Sequence, residues 1–399
     1  MSDIAQSLAP AAPAPTHRLA AAVLRHALKA LRHGRLVCVL PDGTALEQRG
    51  ALPGPDAVLE MHDSRLPLAL LLEGGNGLDE SYIAGAWSSP DLPALLTLLA
   101  LNFADAPPST PLAAPLRLLS RLRHATNANT RAGSRRNIVA HYDLGNAFYA
   151  AWLDASMLYS SALYAAPEDT LETAQAHKLD LITRWLDVPA GGSVLEIGCG
   201  WGALARHLGA LGARVTGLTL SPAQLAHAQG LAGENTTFAL RDYRDETGVY
   251  DRIVSIEMLE AVGEAYWPTY FRTLRARLKL GGRAVLQVIT IAAEQYDGYR
   301  RTPDFIQRHI FPGGMLPAKA TIAAQARAAG LEPGRVHHFG ASYARTLADW
   351  RERFQAAGPR LTTQGFDQRF RRLWDYYLSY CEAGFATGCI DVGLYELKG

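Results

Sequence analysis

The sequence predicts an α/β protein in which a doubly wound parallel sheet follows a smaller N-terminal α/β domain. From about Leu181 onward, helical segments alternate with apolar segments typical of parallel strands, which are SVLEIG, RVTGLTL, DRIVSIEML and GGRAVLQVITI. Residues 17–102 mix a helical pattern with shorter strand-like segments. Between the two parts lies a segment rich in Pro and then in Arg, without an acidic residue from Ala106 to Tyr142, which is typical of a linker.

The N-terminal part is predicted to contain a tail and a small domain. Residues 1–16 are rich in Ala and Pro and lack a basic start followed by an apolar block. They therefore predict a disordered tail and not a signal peptide. Residues 17–105 form the predicted N-terminal domain, which combines the helical pattern LAAAVLRHALKALRHG with two strand-like segments, RLVCVL and LPLALLL, separated by Gly and Pro.

Residues 106–136 form a predicted basic linker between the domains. Six arginines lie in it without an opposing acid: Arg117, Arg121, Arg123, Arg131, Arg135 and Arg136. Near anionic lipid each arginine contributes about 1 kcal/mol of binding free energy. The segment APLRLLSRLRHA also places Leu and Arg on opposite faces of a helix, as in an interfacial helix. A solvated linker bound to an acidic face of the protein explains the pattern equally well. The larger domain is predicted to span residues 137–399.

Composition and charge limit the function classes. With 399 residues, 48% of them apolar, the chain can bury a sizeable core in two domains. A formal net charge of +1 argues against a bulk nucleic-acid binder. No apolar run is long enough to span a membrane, and the four cysteines are scattered without a paired spacing. We therefore expect a cytoplasmic protein with reduced thiols, no structural metal and no nucleic-acid partner.

The segment SVLEIGCGWG predicts a ligand-binding loop between a strand and a helix. Gly198, Gly200 and Gly202 follow the strand and open the helix, so that backbone amides can approach a ligand at the helix N-terminus. The spacing is G-x-G-x-G and not the G-x-G-x-x-G of dinucleotide sites. Together with the acid at Glu196 it suits a nucleoside without a pyrophosphate, such as S-adenosylmethionine. The glycines alone are also compatible with a tight strand-to-helix turn.

An ordered series of motifs makes this interpretation more specific. VLEIGCGWG is accompanied by RNIVAHYDLGNAFYAAWLD, LYSSALY, GLTLS, SIEMLEAVGEAYW, FIQRHIFPGGMLP and SYARTLADW. From about Arg136 to the C-terminus, these motifs resemble the cyclopropane-fatty-acyl-phospholipid synthase family, and the mycolic acid cyclopropane synthases are similar too. The N-terminal segment GLDESYIAGAWSSPDLPALLTLLALN resembles the extra domain of bacterial members that act on phospholipids.

The resemblance implies a class I methyltransferase fold and an enzyme that uses S-adenosylmethionine. Its expected reaction transfers a methylene or methyl group to the double bond of unsaturated acyl chains in membrane phospholipids, forming cyclopropane fatty acids. Peripheral contact with the inner face of an anionic membrane follows from such a substrate, and family members often form homodimers. Two alternatives stay open: a relative that forms methyl-branched, methylene or furan-type acids, and a lipid-binding protein without turnover.

The resemblance also assigns cofactor-binding residues. In this family the second strand of the sheet ends in Thr, which matches Thr219, and Gln224 on the following helix serves the cofactor. Tyr159 and Ser160 are expected to close over the cofactor, and Tyr243 to lie beside the adenine. An ordinary surface or packing role is the alternative for each of these residues.

Methyl transfer to an alkene requires a sulfonium methyl held in line with the double bond in a water-poor pocket. A base must then remove a proton. The resemblance implies that this base is a bicarbonate ion caged by a Glu, a His, a Tyr and two backbone amides. Glu260 matches the Glu, Tyr343 matches the Tyr, and the amides belong to Ser161 and Ile289.

The chain departs from the family pattern at two cage positions. Gln287 stands where the family usually has His, and Ser161 stands where it usually has Cys. A Gln side chain donates a hydrogen bond but carries no positive charge, so we expect weaker binding of bicarbonate. Glu257, three residues before Glu260, is expected to be a packing residue or a cofactor-side contact. Cys381 matches a family cysteine that lines the site and is expected to be a packing thiol.

Overall fold

The computed structural model describes residues 15–73, 75–103 and 144–399. The chain separates into two compact units, Met1–Ala114 and Pro115–Gly399. The predicted linker and the predicted tail up to residue 14 lie outside the described residues. The first helix begins at Pro15, within the last two residues of the predicted tail. Proline suits a first helical position, because the N–H that it lacks has no helical partner there.

The first unit contains a mixed four-stranded sheet. Its strands are β1 (His33–Val39), β2 (Ala45–Arg49), β3 (Leu52–Met61) and β4 (Trp87–Ser88), and its helices are α1 (Pro15–Leu28), α2 (Leu66–Glu73), α3 (Gly75–Ile83) and α4 (Leu92–Phe103). The strand order is β2-β1-β3-β4. β1 pairs in parallel with β3, whereas β2 and β4 pair antiparallel with their neighbours. This sheet and its helices confirm a small α/β unit.

The segment LPLALLL is an α-helix, α2, so the strand expected from its apolar run is wrong. Periodicity cannot separate a short buried helix from a buried strand when every position is apolar. Leu and Ala favour a helix, and the segment contains no β-branched residue. The segment RLVCVL behaves as expected, since β1 alternates buried and half-buried side chains as a half-buried strand does.

The second unit is built on a seven-stranded sheet. Its strands are β5 (Ser193–Ile197), β6 (Arg214–Thr219), β7 (Thr236–Leu240), β8 (Tyr250–Ile256), β9 (Leu278–Ile291), β10 (Glu332–His338) and β11 (Ile390–Lys398). The order is β10-β11-β9-β8-β5-β6-β7. β5 to β9 pair in parallel, and β11 runs antiparallel to both β9 and β10. The four strands predicted from the sequence correspond to β5, β6, β8 and β9, which confirms the doubly wound sheet.

Helices connect these strands. They are α5 (Asn146–Tyr149), α6 (Leu171–Leu186), α7 (Ala203–Ala210), α8 (Pro222–Gly230), α9 (Leu259–Val262), α10 (Trp267–Arg277), α11 (Ala293–Tyr299), α12 (Phe305–His309), α13 (Lys319–Ala328), α14 (Gly340–Ala356), α15 (Gly358–Thr363) and α16 (Gln368–Ala386). Side-chain oxygens cap several of them, because the first backbone N–H groups of a helix lack internal partners. Thr170 accepts from Thr173 N in α6, and Ser221 accepts from Gln224 N in α8.

The parallel pairing brings the carboxyl ends of β5, β6 and β8 to one edge of the sheet. Ligands of doubly wound sheets bind at this edge. These strands contribute to a hydrophobic core in which Leu195 of β5, Ile253 of β8 and Leu286 of β9 are fully buried. None of the helices that the structure describes is long and apolar enough to cross a membrane.

Candidate active site

The glycine loop lies at the carboxyl end of β5 and has a backbone that only glycine adopts easily. Gly198, Gly200 and Gly202 have φ values of 81°, 54° and 85°, and Gly202 is the N-terminal cap of α7. The N–H groups of Gly198 and Cys199 both donate to the Leu218 carbonyl, at 3.0 and 2.9 Å. These bonds attach the loop to β6, so its conformation is held before any ligand binds.

The three glycines differ in the space around them. A Cβ at Gly198 would lie 3.1 Å from Met258 Cγ, and one at Gly202 would lie 2.8 Å from Phe238 Cζ. A Cβ at Gly200 would meet no atom of the described chain within 4 Å. Gly198 and Gly202 therefore allow close packing of the protein on itself, whereas Gly200 borders open space where a ligand can approach the backbone.

Thr219 and Gln224 are brought together at the end of β6. The Thr219 hydroxyl donates to Gln224 Oε1 at 2.8 Å and accepts from the Ser221 N–H at 3.1 Å. Both side chains are only 4% exposed. The short turn into α8 thus forms one hydrogen-bonded unit at the same edge as the glycine loop. The role of both residues in cofactor binding stays a prediction.

Tyr243 and Glu196 carry buried oxygens that have no hydrogen-bond partner in the described part of the chain, namely the Tyr243 hydroxyl and Glu196 Oε2. Burial raises the pKa of Tyr243 to about 12 and that of Glu196 to about 8. Buried polar atoms of this kind normally have a partner, so these two fit a polar ligand. They and the open space at Gly200 fit the predicted nucleoside.

Tyr159 lies within an aromatic cluster, and the Ser160 hydroxyl accepts a hydrogen bond from a buried lysine. The Tyr159 ring lies 5.4 Å from the Tyr149 ring and 5.4 Å from the Trp350 ring, and its hydroxyl is 2.7 Å from the Tyr377 hydroxyl. Such a cluster excludes water.

Lys178 on α6 donates from Nζ to Ser160 Oγ at 2.7 Å. The lysine is 1% exposed, and burial lowers its pKa to about 8. Sequence reasoning missed this residue. Its signal was weak, because a lysine within a mixed helical pattern usually faces solvent.

Glu257 lies at the centre of the donors that the sequence assigned to an anion cage. Its Oε1 accepts from Ser161 N at 2.9 Å and from Gln287 Nε2 at 2.7 Å, and its Oε2 accepts from the Tyr343 hydroxyl at 2.6 Å. The expectation that Glu257 is a packing residue is therefore wrong, whereas a contact with the cofactor stays a prediction. Low exposure raises the pKa of this carboxyl, although its three hydrogen bonds and the charge of Lys178 oppose the rise.

Glu260 has a different set of contacts from those expected. Its Oε1 accepts a short hydrogen bond from the Ile289 N–H, and its Oε2 has no partner among the described residues. Burial and the neighbouring Glu257 carboxylate raise the pKa of Glu260 to about 8. Glu260 is thus mostly protonated at neutral pH, and of the expected cage it shares a contact with Ile289 only.

The cage does not fit a bicarbonate ion. Each of the four donors assigned to that ion donates to a carboxylate of the chain: three to Glu257, and the Ile289 N–H to Glu260. A second anion there would have to displace Glu257 from its hydrogen bonds and lie beside its negative charge. The residues present therefore do not fit bicarbonate as a resident anion of this site.

Cys381 lies on α16 close enough for the Glu257 and Asp304 carboxylates to affect it. Burial, followed by these two charges, raises the pKa of the Cys381 thiol. The thiol is therefore protonated at neutral pH, which makes it a poor nucleophile. Its packing role stays a prediction.

Comparison with known proteins gives a consistent result. Residues 129–394 match the family model described as mycolic acid cyclopropane synthetase. The chain is 38% identical to the tuberculostearic acid methyltransferase of Mycobacterium tuberculosis, over 97% of this chain and 94% of that protein. It is 37% identical to the cyclopropane-fatty-acyl-phospholipid synthase of Escherichia coli, over 82% of this chain and 84% of that protein. Among solved structures, it resembles the mycolic acid cyclopropane synthase CmaA1 complexed with S-adenosylhomocysteine and CTAB, with a TM-score of 0.63 and 31% identity, over 66% of this chain and 98% of that one.

Proposed function

This chain belongs to the mycolic acid cyclopropane synthetase family, and on that premise we propose that it methylates the double bond of unsaturated acyl chains in membrane phospholipids, with a cyclopropane fatty acid as product. It is an S-adenosylmethionine-dependent methyltransferase of the cyclopropane-fatty-acyl synthase type, and it transfers a one-carbon unit to lipid acyl chains. One observation best supports the proposal. Gly200, which borders open space, follows β5, and Glu257 and Glu260 follow β8, the strand that pairs in parallel with β5. The space for the cofactor and the two acidic side chains therefore lie at the same end of the sheet.

Different residues of the chain bind the cofactor, exclude water and accept the proton. When bound, S-adenosylmethionine supplies an electrophilic methyl group. The loop from Gly198 to Gly202 and the pair Thr219 and Gln224 hold the cofactor at the sheet edge. The aromatic cluster around Tyr159 excludes water, so that the carbocation formed on the acyl chain is not quenched. A base at the same edge must then accept a proton from the alkylated chain.

A second product is favoured by one observation. The relative that matches 97% of this chain is named a tuberculostearic acid methyltransferase, which suggests a methylated and not a cyclopropane acid. Both products begin with the same methyl transfer. They differ in whether the C–H pair released by proton loss closes a ring or forms a double bond, and a saturated methyl-branched acid requires a later reduction of that double bond by a separate hydride donor.

The phospholipid substrate requires contact with a bilayer. We assign this contact to the basic linker, residues 106–136, whose six arginines have no opposing acid within the linker. The enzyme would then bind peripherally to the inner face of an anionic membrane and reach the double bond from there.

The test is product analysis with defined vesicles. The purified full chain is incubated with methyl-labelled S-adenosylmethionine and vesicles of a mono-unsaturated phosphatidylglycerol, and the modified acyl chain is identified by mass spectrometry and proton NMR. NMR is needed because cyclopropane and methylene acids are isomers of equal mass. Vesicles of the saturated lipid and the free unsaturated fatty acid are the matched controls. Label in the free acid but not in the phospholipid would overturn the proposed substrate.

A further inference from the structure

We propose that the carboxylate of Glu257 takes the position of a bound anion in this site and is itself the base that accepts the proton after methyl transfer. The enzyme then needs no bicarbonate. This inference rests on the proposed function, because it names the base of that reaction.

Three separate parts of the chain converge on this carboxylate. Ser161 N, Gln287 Nε2 and the Tyr343 hydroxyl lie 96, 30 and 86 residues from Glu257 in sequence, and all three donate to it within 2.9 Å. The Glu257 N–H also donates to the Gln287 carbonyl at 2.8 Å. Three converging donors of this kind form a binding site for an anion, and the Glu257 carboxylate occupies that site.

The backbone of Glu257 has an unusual conformation that aims the side chain at these donors. Its φ is 49°, in the left-handed region that residues other than Gly rarely adopt. In the described residues only Met157 and Asp187 share this property, and Asp187 does so at the C-terminal cap of α6, where it is common. Such strain persists where the surrounding contacts hold it, and it is concentrated at functional sites.

The charges around Glu257 suit a base. Gln287 supplies a hydrogen bond without a positive charge, so it orients the carboxylate and lowers its basicity less than a charged partner in direct contact would. Lys178 supplies the nearby positive charge, which favours the ionised form of Glu257. Glu260 is mostly protonated at neutral pH and is therefore less suited to accept a proton.

Every electron pair in the proposed reaction is accounted for. Methyl transfer breaks the sulfonium carbon–sulfur bond, whose electron pair stays on sulfur, and the alkene pair forms the new carbon–carbon bond. This leaves a carbocation on the acyl chain. The Glu257 carboxylate then accepts a proton from the transferred methyl carbon, and the C–H pair bonds to the cationic carbon and closes the cyclopropane ring. If a hydride first shifts from the methyl-bearing carbon to the cationic carbon, loss of the same proton forms a methylene double bond instead. The carboxylic acid later returns its proton to water.

Two substitutions separate a base from a structural residue. Glu257→Gln keeps the size of the side chain and removes the charge. It should lower turnover by roughly 10²–10⁴, the range for losing a general base, with unchanged affinity for S-adenosylhomocysteine. Glu257→Gly suits the left-handed backbone, removes the strain and leaves the three donors without their carboxylate. Bicarbonate or formate should then restore part of the turnover, whereas neutral formamide should not.

Asp187→Gly is the matched control, because it removes the same kind of backbone strain at an exposed helix end. All four proteins are assayed as full chains with unsaturated phospholipid vesicles, in buffer stripped of carbon dioxide and then titrated with bicarbonate. The parent and Asp187→Gly should be indifferent to bicarbonate, Glu257→Gln should stay inactive, and Glu257→Gly should respond. A parent enzyme that requires bicarbonate, or a Glu257→Gln enzyme with parental turnover, would overturn the proposal.

A binding measurement distinguishes this proposal from the proposed function. Carbon-13-labelled bicarbonate is titrated into the parent and Glu257→Gly in the presence of S-adenosylhomocysteine and followed by NMR. Binding to Glu257→Gly alone supports the position of the carboxylate even if no phospholipid is turned over, in which case the proposed substrate fails by itself. Equal binding to the parent, or no binding to either protein, would contradict the inference.

Discussion

Replacing Gly200 by Ala tests the cofactor loop, because no described part of the chain fills the space beside this residue. A Cβ at Gly200 meets no atom within 4 Å, and the residue has a φ of 54°. The added methyl group would therefore enter the space that we assign to S-adenosylmethionine. We expect the variant to fold and to bind the cofactor weakly.

Gly200→Ala affects both the free energy of unfolding and the free energy of cofactor binding. An L-residue in the left-handed region costs about 1–2 kcal/mol of unfolding free energy, and no steric clash adds to this cost here. One misplaced methyl group in a ligand pocket costs about 1–3 kcal/mol of binding free energy, which is a loss of affinity of roughly 10–200-fold. Gly212→Ala is the matched control. Gly212 has a φ of 90°, its Cβ would also meet nothing within 4 Å, and it follows the end of α7 opposite to the loop.

The assay combines calorimetric titration of S-adenosylhomocysteine with chemical denaturation of the parent and both variants. Both variants should lose a similar unfolding free energy, and only Gly200→Ala should lose affinity. Equal affinity in all three proteins would refute the assignment of the space at Gly200. Equal losses of affinity in the two variants would instead show that backbone strain is the cause.

Three further predictions concern titration and membrane contact. Tyr343→Phe removes a donor that lowers the pKa of Glu257, so the acidic limb of the kcat/KM profile should move to higher pH, and an unchanged limb would contradict a role for Glu257 in turnover. The Glu196 carboxyl has a pKa near 8 in the folded chain and 4.5 as its ordinary value, so its contribution to stability is present below 4.5 and is lost as pH rises through 8. Denaturation across this range should show Glu196→Gln gaining stability over the parent as pH rises, and parallel curves would refute the assigned burial effect. Changing Arg117, Arg121 and Arg123 to Gln should weaken binding to anionic vesicles by about 3 kcal/mol at low salt, which is a loss of affinity of roughly 100-fold. Binding is measured by sedimentation with the vesicles, and equal sedimentation of variant and parent would exclude the linker as the membrane contact.

Local patterns in the sequence predicted much of the fold and the cofactor edge. The apolar segments that became β5, β6, β8 and β9 could be recognised because each lies between turn residues and alternates with a helix. Thr219 and Gln224 were assigned to the cofactor through the family resemblance, and they come into contact because only a short turn separates β6 from α8. The segment LPLALLL was assigned wrongly because its pattern carries no periodicity, and the helix propensity of its Leu and Ala residues was the signal that could have identified it.

By itself, the sequence therefore determined the doubly wound sheet, the glycine loop and the kind of cofactor, since each depends on residues close together in the chain. Only the tertiary structure showed that three of the expected cage donors bind Glu257 and not Glu260. The two residues are three positions apart and both follow β8, so no local pattern distinguishes them. The choice depends on a left-handed backbone at Glu257 and on donors 30 to 96 residues away. A hydrogen bond acts over about 3 Å in space whatever the separation in sequence, so the partners of a buried carboxylate are known only once the chain has folded.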